Sequence, residues 1–319
     1  MSTTTEPQRS EVTEPQGPTP RRRRGDSVFS AFATAAGVTI LVALLAVFVF
    51  LASEGWSGLT GGAATFAPFT SFPSYIWPLF VDTILSSAVA LVISVPFAIA
   101  IALFVSHYAP RVVAVPFAYV IDLLAAVPSV VFGLWGGLFL ARFLLSAHVW
   151  MSNHLGFVPF FGPPSPNGRS LFTAGVVLAI MILPIVTAIS REVFAQTPRL
   201  HEEAAIALGA TRWEVVRYAV LPYGRSGVVS AVMLGLGRAL GETMAVAMVL
   251  AVTPTETLNI IGTASPATIA ANIALNYKES TPQRQSLLIA TGLVLFALTF
   301  VVNFAARWVL GRAERRAAR

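Results

Sequence analysis

Six long apolar runs, separated by short polar stretches rich in proline and arginine, set the pattern of this chain. They cover about Val28 to Ala52, Leu79 to Ser106, Val113 to Leu145, Leu171 to Phe194, Ser226 to Val252 and Ser286 to Val309. A helix rises about 1.5 Å per residue and a hydrocarbon core is about 30 Å thick, so each run is long enough to cross one. The third is too long for one straight crossing, and Pro128, Gly133, Gly136 and Gly137 predict a kink or break inside it. The first exceeds the roughly 7 to 15 apolar residues of a signal-peptide core, which predicts an uncleaved span over 28–52. Ahead of it, residues 1–27 read as a disordered tail. Met1 to Pro20 are too poor in apolar side chains to bury a core, and Arg21 to Arg24 follow. The core of the protein is expected over 79–310, and residues 311–319 form a basic tail.

Composition supports the membrane reading. Of 319 residues, 55% are hydrophobic and only 11% charged, and the mean hydropathy is +0.74, far from the balance of a soluble domain. Cysteine is absent, which excludes disulfides, iron–sulfur clusters and thiolate metal sites. The net charge of +6 comes almost wholly from arginine, Lys278 being the single lysine. With the N-terminus inside, 16 of the 21 cationic residues fall on the cytoplasmic side, and only Arg142, Arg169, Lys278 and Arg284 fall outside. The basic charge therefore marks topology and anionic lipid rather than nucleic acid. The expectation is an all-α, multi-pass plasma-membrane protein with six transmembrane helices and both termini cytoplasmic.

One cytoplasmic segment, residues 197–222, is more than a connection. Thr197 before Pro198 reads as an N-cap with proline in the first turn. Glu202 and Glu203 suit the positive end of the helix that follows, and Gly209 supplies a left-handed residue to end it. Thr211 and Glu214 then form a Thr-x-x-Glu capping box, and a second short helix is expected to end at Leu221-Pro222. A pair of helices around a glycine, with small Ala204 and Ala205 beside Glu203, fits a docking surface for another protein. It equally fits an interfacial helix with Trp213 and Tyr218 at the headgroups.

The spacing of Glu203-Ala204-Ala205, Gly209 and Leu221-Pro222 resembles the EAA loop of bacterial ABC importer permeases, the element that seats in the ATPase subunit. Ala219 departs from that pattern, which commonly has isoleucine there. The resemblance implies that Glu203, Ala204, Ala205, Gly209, Leu221 and Pro222 couple this chain to an ATPase.

The most unusual position lies in the fifth apolar run, where Gly237-Arg238-Ala239-Leu240-Gly241-Glu242-Thr243 puts a charge pair near mid-span. A central arginine costs roughly 2.5 to 3.5 kcal/mol on insertion scales, so something must compensate. Arg238 and Glu242 are four apart. On a continuous helix they share a face and either pair structurally or meet water and substrate. The glycines Gly235, Gly237 and Gly241 allow close approach of a helix or an anion.

Arg238 to Thr243 also resembles the signature of the permease subunits of the phosphate-specific ABC importer. The continuation Met244-Ala245-Val246 is closer to the C-type subunit than to its A-type sister, and Val127 to Gly133 resembles the C-type too. The similarity spans about Leu79 to Val309. It implies a type I ABC importer permease fold, a sister permease, two ATPase subunits and an extracytoplasmic phosphate-binding protein. It also implies that Arg238 and Glu242, with Thr243, lie on the phosphate path.

Other polar residues in the runs carry less. Asp82 reads as a helix-start residue with Thr83 or as a path residue, and Ser129 beside Pro128 as part of a helix break or of the path. Asp122 pairs with an arginine of a neighbouring helix or faces water. The four histidines show no metal-ligand spacing and read as solvated loop residues. The outer loop from Thr253 to Gln285, with Asn259, Thr263, Ser265 and Asn272, is a candidate surface for the binding protein. No catalytic set or metal site is predicted. No G-x-x-x-x-G-K-[ST] stretch is present, so ATP and Mg belong to a partner ATPase and this chain is expected to be a transport subunit, not an enzyme. Molybdate or sulfate would suit one buried arginine as well as phosphate. A secondary anion transporter leaves the cytoplasmic helical pair without a use, and a scaffold or sensor leaves the charged span centre without one.

Overall fold

The computed structural model describes residues 24–61, 66, 69–250, 258–263 and 267–317. The tail from Met1 to Pro20, Arg21 to Arg23 and Ser265 lie outside the described residues. Among the described residues every regular element is a helix. Six helical segments are long and apolar enough to cross a membrane: Val28–Leu59, Phe72–Tyr108, Ser129–Leu155, Leu171–Ala195, Arg212–Leu240 and Pro282–Trp308.

The chain divides into two units after Val49. In the first, the only described element is the beginning of α1 (Arg24–Leu59), whose side chains from Val28 to Val49 are all exposed. A helix apolar on every face and exposed on every face is suited to lipid.

The second unit holds the remaining elements. Its second span, α2 (Phe72–Leu103), begins seven residues earlier than the apolar run suggests, because Ser74 Oγ accepts from the Ser71 amide at 3.2 Å and Pro73 takes the first turn. Asp82 is therefore inside the helix rather than at its start. It is buried, and its neighbour Thr83 accepts from the Ile269 amide at 3.0 Å.

The third apolar run is two pieces. α3 (Arg111–Ala125) packs on the fourth span, the chain turns extended at Pro128 (φ −59°, ψ 139°), and the crossing proper begins at α4 (Ser129–Trp135) and continues through a π-turn into α5 (Ala141–Leu155). Proline at 128 has no amide to continue the helix and disfavours a helical residue before it. Asp122 on α3 lies 4.0 Å from Arg191 on the fourth span, the pairing that was one of its two readings.

At the centre stands α6 (Leu171–Ala195), with Leu178, Ile182 and Val186 wholly buried. On one side α2 comes close because Gly175 leaves room for Val89, 2.6 Å from where a Cβ would sit. On the other, Gly224, Gly227 and Gly235 of the fifth span face Phe194, Val193 and Val186. The last helix, α12 (Pro282–Ala317), follows a short α11 (Ile269–Asn276) that is tied to α2 by Asn272 donating to the Tyr75 hydroxyl at 2.8 Å.

The fifth span departs most from the apolar pattern. It starts at Arg212 rather than Ser226, because the second cytoplasmic helix α8 (Arg212–Val215) runs through a π-turn, Val216–Val220, directly into α9 (Leu221–Leu240). The wider turn accommodates Pro222, which lacks an amide. It ends at Leu240 rather than Val252. Beyond Gly241 the helix breaks and the chain continues toward the outer side as α10 (Met244–Val249), which lies against α4. Glycine permits that contact: a Cβ on Gly133 would sit 2.7 Å from Ala245 Cα, and one on Gly137 2.8 Å from the Met248 carbonyl. Gly136 and Gly137 open the π-turn within the third span, and Gly133 and Gly137 also seat another backbone against it.

A contrast follows between two helical glycines. Gly133→Ala should destabilise by about 1 to 3 kcal/mol through overpacking, whereas Gly237→Ala, which meets nothing within 4 Å, should leave stability unchanged or slightly raised. Thermal unfolding of the detergent-solubilised protein measures both.

Candidate functional site

The depth of Arg238 follows from its neighbours. Gly235 abuts Val186 and Ile182, which lie at the middle of the 25-residue helix α6, so Arg238, one turn further, sits near mid-span. Ser230, Met233, Leu234, Gly237 and Arg238 recur at helical spacing and form one face of α9. Opposite are Asn303 and Arg307 of α12, with Ile185 at the back, and together they line a cleft of about 940 Å³.

Arg238 is exposed in this cleft, while Glu242 is only 8% exposed. The expectation that the two share a helix face is overturned. α9 stops between them, and Glu242 turns inward, where its carboxylate accepts from the Ala245 amide at 3.1 Å at the start of α10. A carboxylate there satisfies an otherwise unpaired amide and faces the positive end of that turn. Among the described residues, Arg238 and Glu242 form no ion pair. Thr243 is half-buried in the break between α9 and α10, and Ser129 half-buried at the start of α4. Asp82 and Ser129 are not among the residues lining the Arg238 cleft.

The other end of α10 is held by a residue that charge counting treats only as a topology marker. Arg169 Nε donates to the Val249 carbonyl at 3.0 Å and Nη2 to that of Met248. A guanidinium fork thus caps the carbonyl end of α10. Asn259 joins the outer loops, accepting from Gly162 at 3.2 Å and donating to Pro163 at 2.9 Å. No local spacing in the sequence signals either contact.

The cytoplasmic pair forms nearly as expected. α7 (Arg199–Ala207) begins one residue later than expected: Pro198 is its N-cap, and Thr197 is buried instead of capping. Gly209 follows with φ +84°, the left-handed conformation that favours glycine. The capping box is complete, Glu214 Oε2 accepting from the Thr211 amide at 2.8 Å and Thr211 Oγ1 from the Glu214 amide at 3.4 Å. Glu203, Ala204, Gly209 and Pro222 are exposed, and Ala205 and Leu221 half-buried. His107, in the π-turn ending the second span, lies 3.6 Å from Glu202, so α7 is also tied to that span. The histidines are not all loop residues: His148 is wholly buried on α5, with Phe172 edge-on at 5.6 Å.

With this geometry in place, the comparisons with known proteins fall into line. Residues 94–315 match the family described as the binding-protein-dependent transport system inner membrane component. The phosphate transport system permease protein PstC 2 of Mycobacterium tuberculosis is 47% identical over 302 residues, which are 91% of this chain and 93% of that protein. The PstC of Mycobacterium leprae is 49% identical over 237 residues, 73% of this chain and 74% of that one. The chain belongs to the PstC family of binding-protein-dependent transport permeases. Its fold matches that of the crystal structure of a bacterial ABC transporter involved in import of the acidic polysaccharide alginate, with a TM-score of 0.57 and 16% identity over 90% of this chain and 96% of that one. The PstC-type chain is thus a multi-pass plasma-membrane permease with the type I ABC importer fold.

In this permease, Arg169→Gln should strip the charged cap from two carbonyls. The expected cost is about 1 to 3 kcal/mol of stability, with Arg169→Lys in between because an ammonium cannot fork. Thermal unfolding of the solubilised protein, with proteolysis near Leu250 as a local readout, checks it.

Proposed function

We propose that this permease is the C-type transmembrane subunit of an ATP-driven importer that carries inorganic phosphate into the cell. The observation that carries the reading is Arg238, exposed at mid-span depth in a cleft whose lining, among the described residues, includes no carboxylate, in a chain 47% identical to a PstC 2 phosphate permease. A guanidinium offers a planar fork of donors to phosphate oxygens, and water in the cleft keeps the attraction weak enough for release. Glu242 serves the path indirectly by fixing the helix break that leaves Arg238 outside, and Thr243 belongs to the same break. Asp82 and Ser129, away from the cleft, are secondary candidates for contacts along the path.

Energy comes from elsewhere. The chain has no phosphate-binding glycine loop, so ATP and Mg are used by a partner ATPase. Glu203, Ala204 and Gly209 present an exposed surface on α7 and its C-terminal turn for it, with Ala205, Leu221 and Pro222 supporting the same unit. The full assembly in this reading is a heterodimer with a sister permease, two ATPase subunits and an extracytoplasmic phosphate-binding protein, which selects phosphate over sulfate or molybdate.

Two measurements test this. Cells lacking the gene should lose uptake of labelled phosphate but keep uptake of sulfate and molybdate. Arg238→Gln in a complex that assembles normally should lower phosphate import by roughly tenfold or more, and unchanged import would refute the role of Arg238. Separately, Glu203→Lys combined with Gly209→Val should lose the co-purifying ATPase while the protein stays in the membrane; retention of the ATPase would refute the docking surface.

A further inference from the structure

The cleft beside Arg238 holds a second guanidinium that topology alone does not explain. Arg307 is the penultimate residue of the last apolar span, Pro282–Trp308, and by count of cationic residues it is one more cytoplasmic marker. Its place in the fold is different. Arg307 and Asn303 are four apart on α12, hence on one face, and both line the cleft of about 940 Å³ that Arg238 lines from α9. Both are exposed. Arg238 sits near mid-span, whereas Arg307 lies about 37 Å along α12 from Pro282 at about 1.5 Å per residue, near the cytoplasmic end of its span.

The chemistry of the lining is one-sided. Arg238 and Arg307 supply positive charge, Asn303 and Ser230 supply neutral donors, and among the described residues none of the lining is acidic. The nearby titratable group of the signature, Glu242, faces inward to the Ala245 amide. Among the described residues neither arginine forms an ion pair. Two like charges around one cavity raise the local concentration of anions and repel each other when it is empty. A single guanidinium either holds an anion or releases it to water; a second one displaced toward the cytoplasm gives the ion a next contact and lowers the barrier to leaving the first.

We propose that Arg307, with Asn303, forms a second station for phosphate oxygens in the Arg238 cleft, receiving the anion on its way to the cytoplasm. The inference rests on the phosphate-importer reading. The same chemistry suits a phosphorylated lipid headgroup at the membrane boundary, so the test separates the free ion from the lipid.

The chain contains no cysteine, so Asn303→Cys places a single thiol of this subunit beside Arg307. The complete complex, with its sister permease, ATPases and binding protein, is reconstituted in vesicles of zwitterionic lipid, and labelling of that thiol by an anionic thiosulfonate is followed. Inorganic phosphate should slow labelling by roughly tenfold, and adding Arg307→Gln should abolish the protection. Arg312→Cys, further along the helix where Arg312 packs over the Trp308 ring at 4.7 Å, should show none. Arg307→Gln alone should lower the maximal import rate while leaving the external phosphate concentration for half-maximal import unchanged, and Arg307→Lys should restore part of the rate. Protection that persists in the Arg307→Gln background overturns the proposal, as does protection that needs anionic lipid rather than free phosphate. Wild-type complex that imports no phosphate overturns the importer reading itself. Import with normal rates in Arg307→Gln overturns only the second station.

Discussion

A guanidinium cannot be left in hydrocarbon, and the rest of this fold is arranged around where Arg238 is allowed to point. Its long side chain keeps its charge at membrane depth, so either a carboxylate or water and a ligand must meet it. The end of α9 at Leu240 decides between them. Had the helix continued, Glu242 would have come onto the Arg238 face and the pair would have been a structural tie. Because the helix breaks at Gly241, the carboxylate serves the amide of Ala245 and the guanidinium opens into the cleft.

The short helix beyond that break is itself held from several directions. Gly133 and Gly137 let α10 lie within van der Waals reach of α4, and Arg169 closes its carbonyl end from the outer loop. Ala245, Val246 and Val249 are buried there, alongside Phe132 and Val177. Residues on three other segments, α4 with its π-turn, the outer loop and α6, thus fix one short helix, and the exposure of a single arginine depends on all of them. Interrupted helical backbone at this depth is tolerable only where protein surrounds it.

The same helix that carries Arg238 begins in the cytoplasm. From Arg212 to Leu240 the fifth span is one continuous helical path of 29 residues, broken in geometry only by the π-turn at Val216–Val220. In the proposed importer, a push on α7 and the Thr211–Glu214 cap therefore acts on one wall of the cleft through a stiff element. α12 forms the other wall, and the His107–Glu202 contact couples α7 to the second span as well. Conformational coupling of this kind needs two packed arrangements of rigid elements rather than a deformable chain.

How much of this was readable in the chain depends on the range of the interaction. The six apolar runs, Gly209 and the Thr211–Glu214 box are local: hydropathy, dipoles and capping act within a few residues, and the structure reproduces them. Boundaries moved where a local device outside the apolar run intervened, as at Ser71–Ser74 and Pro128. Periodicity said that Arg238 and Glu242 shared a face, and it misled because it assumes an unbroken helix. What only the tertiary structure decided are contacts between residues far apart in sequence. Arg169 on Met248 and Val249, Gly133 under Ala245, and Arg307 in the cleft of Arg238 arise because packing brings distant segments together, and no local pattern encodes which segments meet.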